Sequence, residues 1–137
     1  MQVIKSIKMR SDCPVSYALD IFGDKWTLLI IRDLAFEGKK FYTEFLKSKE
    51  KIATNILSDR LRKLENNGVI ESKVYEELKT KKEYSLTEKG KHLIPVLIEM
   101  ILWSSKYDNT LDIPQEFLEK AKTNKEKLVK SIISRLD

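Results

Sequence analysis

The sequence predicts a mostly helical α+β chain carrying one small β-hairpin, and three observations lead there. Only four Gly and three Pro interrupt 137 residues, so long helices dominate. Apolar residues recur at helical spacing through most of the chain. Two short β-prone runs, residues 69–75 and 82–86, flank a charged stretch over 76–81 and read as a hairpin. No period of about 20 to 50 residues repeats, which excludes solenoids and propellers.

After a short lead with Val3, Ile4 and Ile7, Pro14 suits a first helical turn, with Asp12 or Cys13 as its cap. Tyr17, Ala18, Ile21 and Phe22 form its apolar stripe, and Gly23 stops it. Residues 24–36 begin at a good N-cap, Asp24, and end near Gly38. The run 28–31 alone suits a strand, but the length and the later Leu34 and Phe36 favour a buried helix. Phe41, Phe45 and Leu46 mark a short second helix. Thr54 is expected to cap a third, running to about Asn67 and turned by Gly68. On it Leu57, Leu61 and Leu64 share one face, and Asn55, Asp59, Arg62 and Asn66 the opposite one. Thr87 then caps a long helix over 88–107 with Pro95 inside it, which removes a backbone bond and bends it. A break at 112–114 leads to a tail with Phe117, Leu118, Ala121, Leu128, Val129, Ile132, Ile133 and Leu136, expected as one broken or two short amphipathic helices.

Composition bounds the function. The length suits one compact domain with an appended element. Lys and Arg number 26 against 21 Asp and Glu, a net charge of +5 with a pI of about 9.2, which permits a polyanionic partner. Cys13 cannot form an intramolecular disulfide, and residues 1–12 lack the apolar stretch of a secretion signal, so a reduced cytoplasmic protein is expected. The most apolar run, 93–103, is broken by Pro95 and Glu99 and falls short of the roughly 20 residues a membrane span needs. A single His92 and a single Cys leave no ligand set for structural zinc. With no nucleophile motif near His92 and no Gly-rich phosphate loop, neither an enzyme nor a cofactor is expected.

A helix, a short helix, a third helix with a polar outward face and a hairpin with a basic tip make the order of a winged helix-turn-helix, whose shape suits duplex DNA. The third helix, about 54–67, fits the major groove, with Thr54 at its start. There Arg62 can donate to guanine or a phosphate, Asn55 and Asn66 can pair with a base edge or backbone, and Ser58 can bond a phosphate. Asp59 either accepts from a cytosine amino group or holds Arg62 in place. Lys79, Lys81 and Lys82 sit on the wing, about 75–83, against backbone phosphates or the minor groove. Lys39, Lys40, Lys47, Lys49 and Lys51 can add neutralisation or steering charge.

The chain resembles the HxlR-type winged helix-turn-helix regulators, distant relatives of MarR-type regulators, over roughly residues 13–107. The resemblance rests on Cys13-Pro14-Val15, IFGDKWTLLIIRDL over 21–34, LSDRLRKLE over 57–65 followed by Gly68, and EYSLTEKG over 83–90. It departs at the wing, where Lys79 and Thr80 replace a usual Pro-Pro pair, and in the tail from about Asp108, longer than the family pattern requires. It implies a bacterial or archaeal transcriptional regulator binding a two-fold related operator as a homodimer. Recognition helices would lie about 34 Å apart or a multiple of it.

The sequence supports a dimer independently, because the apolar residues of 93–103 wrap more than one helix face. Leu93, Val96, Leu97, Met100, Ile101 and Trp103 are the expected interface, with the tail sharing the work of covering them. Residues 1–107 then form the DNA-binding and dimerisation domain, and 108–137 a helical extension. Cys13 is either a small residue at a helix start or a thiol sensor whose reactive form the helix N-terminus, Lys8 and Arg10 would favour. The resemblance adds that some members sense electrophiles or oxidants at this place through intersubunit disulfides or adducts. Trp103, Tyr107, Phe22 and Trp26 can line an apolar pocket for a small-molecule effector. The other reading is a winged-helix module that binds protein and has lost DNA contact.

Overall fold

A computed structural model of the chain describes residues 10–74, 77 and 80–137. In order these form α1 (Pro14–Phe22), α2 (Thr27–Ala35), α3 (Tyr42–Phe45), α4 (Thr54–Asn66), β1 (Ile70–Val74), β2 (Lys82–Leu86), α5 (Glu88–Lys91), α6 (Ile94–Tyr107), α7 (Gln115–Thr123) and α8 (Lys125–Leu136). They fall into two compact units, one up to Lys91 and one from His92 onward. The lead residues Val3, Ile4 and Ile7 lie outside the described residues.

In the first unit Pro14 opens α1, where a missing N–H leaves no bond unmade, and Cys13 takes the N-cap position without a side-chain capping bond. Asp24 caps α2 across a two-residue turn. Its Oδ2 accepts the N–H groups of Trp26 and Thr27 at 3.0 and 3.1 Å, and its Oδ1 accepts the Thr27 hydroxyl at 2.5 Å. Regular helix therefore begins at Thr27 rather than directly after the aspartate. At the far end of α2, buried Asp33 accepts from Ser48 Oγ at 2.5 Å and Arg32 Nη2 at 2.8 Å. The Arg32 guanidinium forks onto Glu50 at 2.8 and 2.9 Å, tying α2 to the loop before α4.

Thr54 does not cap α4: the extended backbone of an N-cap belongs to Ala53, and Thr54 is the first helical residue. The helix closes in a Schellman motif. Gly68 adopts φ +73°, its N–H bonds the Glu65 carbonyl at 3.0 Å, and the Val69 N–H bonds that of Leu64 at 2.9 Å. This turn feeds straight into β1, which pairs antiparallel with β2 from Ile70↔Leu86 to Val74↔Lys82. Lys40 and Phe41 add a rung on the far edge of β2, the Tyr84 N–H reaching the Lys40 carbonyl at 2.8 Å. The core gathers Ile30, Ile31, Leu34, Phe45, Leu57, Leu61, Leu64, Val69, Ile70, Tyr84 and Leu86. α5 packs so closely on this turn that a Cβ on Gly90 would lie 2.2 Å from the Val69 carbonyl oxygen.

The single bent helix expected over 88–107 is two helices. α5 stops at Lys91, His92 and Leu93 make a turn, and Pro95 sits in the first turn of α6. In a continuous helix the Pro95 ring would strike the Lys91 carbonyl four residues back, so the chain restarts where proline needs no N–H. In the second unit α6 packs with α7 and α7 with α8. Leu97, Ile98, Ala121, Leu128 and Ile132 are buried there. The tail is two helices, with Asn124 Oδ1 accepting the Lys127 N–H at 3.2 Å to cap the second. Lys125 pairs with Glu99, joining α8 to α6. Among the described residues no helix is long and apolar enough to cross a membrane.

The Arg32 fork holds the Glu50 carboxyl down at about 2, against an ordinary 4.5. A carboxyl lowered by folding favours the folded state above its ordinary pKa and loses that contribution as pH falls towards the lowered one. The urea midpoint is therefore expected to fall between about pH 4.5 and 2, and Glu50→Gln to flatten part of that fall. An unchanged pH dependence in the variant would contradict this role.

Candidate nucleic-acid interface

The candidate interface begins with the two faces of α4. Leu57, Leu61 and Leu64 are 0, 2 and 1% exposed, which fixes the rotation of the helix about its axis. Asn55, Ser58, Arg62 and Asn66 are consequently presented outward at spacings of three and four residues, with Thr54 exposed at the start. Tyr42, which the sequence pattern does not single out, braces this face from α3. Its hydroxyl donates to the Thr54 carbonyl at 3.0 Å and lies 3.1 Å from Ser58 Oγ. Only the packing of α3 on α4 reveals that role, since the two residues are 16 apart.

Asp59 is half-buried and sits at the centre of a charged cluster. Its Oδ1 accepts from Arg62 Nη2 at 2.6 Å, while its Oδ2 faces Arg60 Nη1 at 2.5 Å and Lys63 Nζ at 3.2 Å. The bond from Lys63, joined by those from Arg62 and Arg60, holds the Asp59 carboxyl below its ordinary value. Of the two roles open to Asp59, the geometry favours holding Arg62, because both carboxylate oxygens are already engaged by cations. Arg60, also unmarked by the sequence pattern, reaches back to Asp24 at 2.8 Å. Asp24 chiefly accounts for the raised pKa of that guanidinium.

A groove of about 830 Å³ runs between α4 and the hairpin. Phe41, Leu61 and Tyr84 give it an apolar lining, and Ser58, Arg62, Asn66, Lys81 and Lys82 line it with polar and basic groups. Lys81 Nζ stands 3.9 Å over the Phe41 ring, which tethers this cation beside the groove. Thus Ser58, Arg62, Asn66, Lys81 and Lys82 are brought together, while Thr54, Asn55 and Asp59 lie on α4 outside the lining. Lys79 lies outside the described residues. Glu65, also in the lining, accepts from Ser72 Oγ at 2.9 Å and so ties α4 to β1. Of the further lysines, Lys39 is turned to Ser48 at 2.8 Å, exposed Lys40 lies 3.8 Å from Glu83, and Lys47, Lys49 and Lys51 are exposed.

In the second unit, Leu93, Val96, Met100, Trp103 and Tyr107 follow one another by alternating steps of three and four and form a single stripe along α6. Met100, Trp103 and Tyr107 are 48, 67 and 75% exposed, and the last two rings lie 5.3 Å apart. Leu93 and Val96 are half-buried. Leu97 and Ile101 point away from the stripe, Leu97 being buried within the chain and Ile101 half-buried. Cys13 is exposed. Arg10 is paired with Asp20 at 2.7 Å, and Lys8 is outside the described residues. Among the described residues no group of His, Cys, Asp and Glu is placed to hold a metal ion.

Comparison with known proteins gives concordant matches. A family model for HxlR-like helix-turn-helix proteins matches residues 21–112. The chain is 44% identical over 100 residues to the uncharacterised HTH-type transcriptional regulator YdeP of Bacillus subtilis, covering 73% of this chain and 77% of that one. Among solved structures, the redox regulator HypR in its oxidised form is similar with a TM-score of 0.62 and 34% identity, over 74% of this chain and 100% of that one. The reduced form of the transcriptional regulator YodB from B. subtilis is similar with a TM-score of 0.58 and 33% identity, over the same shares.

Proposed function

The chain belongs to the HxlR-like helix-turn-helix family of transcriptional regulators, and from that premise we propose that it binds a two-fold related DNA site as a homodimer. The observation that carries this reading is the outward face of α4. Asn55, Ser58, Arg62 and Asn66 stand opposite three buried leucines, and three of these four share a groove with Lys81 and Lys82. A helix of about 10 to 12 Å diameter presenting amides and a guanidinium matches a major groove about 12 Å wide. Arg62 donates to guanine acceptors, Asn55 and Asn66 pair with base edges or backbone, and Thr54 and Ser58 meet phosphate at the flank. Lys81 and Lys82, with Lys79, neutralise the backbone beside the wing.

The stripe along α6 supports the homodimer. Its alternating three- and four-residue steps are those of a two-helix seam, and two copies would remove Met100, Trp103 and Tyr107 from water. In this reading residues 1–107 bind DNA and pair, and 108–137 form an extension that packs on α6. The exposed Cys13 thiol supports a second input, and one similar structure is of a redox regulator. With one Cys per chain, a protein disulfide would need a second copy, while a small oxidant or electrophile can modify the thiol directly.

Fluorescence anisotropy against a duplex recovered by the protein from a randomised pool, and against a scrambled duplex, tests the reading. The expected result is preference for the recovered duplex and an affinity falling with salt at a log–log slope of about −0.9 per phosphate neutralised. Arg62→Ala is expected to lower that preference about tenfold. Equal weak binding to both duplexes would contradict DNA recognition and favour a protein-binding module.

Sedimentation equilibrium is expected to give a dimer for the wild type and a monomer for Trp103→Glu. A variant that stays dimeric would move the interface off the α6 stripe. Mild oxidation with diamide is expected to change DNA affinity in the wild type and not in Cys13→Ser. An identical response in both would make Cys13 a structural residue.

A further inference from the structure

The charged groups around Asp59 form a chain that starts in the turn before α2. Asp24 Oδ2, while capping α2, also accepts Arg60 Nε at 2.8 Å. Arg60 Nη1 donates to Asp59 Oδ2 at 2.5 Å, and Asp59 Oδ1 accepts Arg62 Nη2 at 2.6 Å. Arg60, between the two carboxylates, is the least exposed member at 22%, against 32% for Asp24 and 30% for Asp59, and Arg62 at the outer end is 65% exposed. The innermost guanidinium is thus held on two sides, and the outermost keeps the rest of its donors open to solvent.

An exposed arginine has many rotamers, and a base edge is read only by one narrow set of them. Asp59 alone could not choose that set, since a half-exposed carboxylate swings about its own side-chain torsions. Arg60 removes this freedom by gripping the second Asp59 oxygen while itself held by Asp24 in the turn before α2. It also answers the cost of an acidic group on a surface turned towards phosphates, because Asp59 faces Arg60, Arg62 and Lys63 together.

We propose that Arg60 is a positioning residue for recognition: anchored on Asp24, it locks Asp59 so that Arg62 is presented to the base edge in one orientation. This rests on the reading of Arg62 as a base-reading side chain. It assigns Arg60 to sequence selectivity and not to general attraction for DNA, although it is a cation on the recognition helix. Asp24 thereby has two roles, capping α2 and setting the aim of a side chain on α4.

The test uses the full chain, the duplex recovered from the randomised pool, the scrambled duplex and a salt series. Arg60→Met keeps the aliphatic stem and removes both ion pairs. It is expected to weaken binding to the recovered duplex about tenfold, leaving scrambled-duplex affinity and the salt slope unchanged. Arg60→Met combined with Arg62→Ala should bind the recovered duplex no more weakly than Arg62→Ala alone. Equal losses on both duplexes with a slope smaller by about 0.9 would make Arg60 a phosphate contact and overturn the proposal. So would additive losses in the double variant, or no loss in the single one. Should circular dichroism show Arg60→Met unfolded, Asp59→Asn breaks the same chain at the surface, and retained selectivity there overturns the proposal equally. A wild type that recovers no preferred duplex defeats the reading of Arg62 itself, which separates that failure from failure of the relay.

Discussion

The burial of one face of α4 is the constraint on which the rest of the site depends. Leu57, Leu61 and Leu64 leave almost no surface in contact with water, so α4 cannot rotate without exposing a leucine, at a cost of about 2 kcal/mol each. That rotation angle decides which residues face outward. The same rotation points Glu65 at Ser72 and Ser58 at Tyr42, so neighbouring elements grip the helix by polar bonds that exist in only one setting. The Schellman turn at Gly68 then delivers the chain into β1 without a flexible linker, and the wing inherits its place from the end of the recognition helix.

Electrostatics refines what packing sets. The surface around α4 is basic but not uniformly so. Asp24 and Asp59 are interleaved with Arg60, Arg62 and Lys63, and the acidic groups hold the arginines in place while leaving a net positive face. A surface of lysines alone would attract a polyanion and say nothing about its sequence. Pairing converts part of that charge into orientation. The lysines differ in this respect: Lys81 is held over Phe41, while Lys82 is exposed at the start of β2.

Much of this was legible from residue spacing. Period 3.6 over 57–64 gave the two faces of α4, Gly68 its end, and the β-prone runs around 76–81 the hairpin, because each signal is local. Boundaries were less legible. Ala53 takes the capping backbone although Thr54 is the better capping side chain, and Pro95 restarts a helix where a bend was equally compatible with the pattern. Contacts between elements distant in sequence were not legible at all. Tyr42 with Ser58 and Arg60 with Asp24 are 16 and 36 residues apart, and no period or motif announces them. The apolar run 93–103 showed an excess of surface, but only the helix start at Ile94 separates the exposed stripe from Leu97 and Ile101.

The central claim is that DNA meets the outward face of α4 and the wing beside it. Backbone amide chemical shifts of ¹⁵N-labelled protein, followed as the recovered duplex is added, test it residue by residue. The largest changes are predicted at Asn55, Ser58, Arg62 and Asn66 and at Lys81 and Lys82. Changes concentrated along α6 to α8, with α4 unmoved, would contradict it.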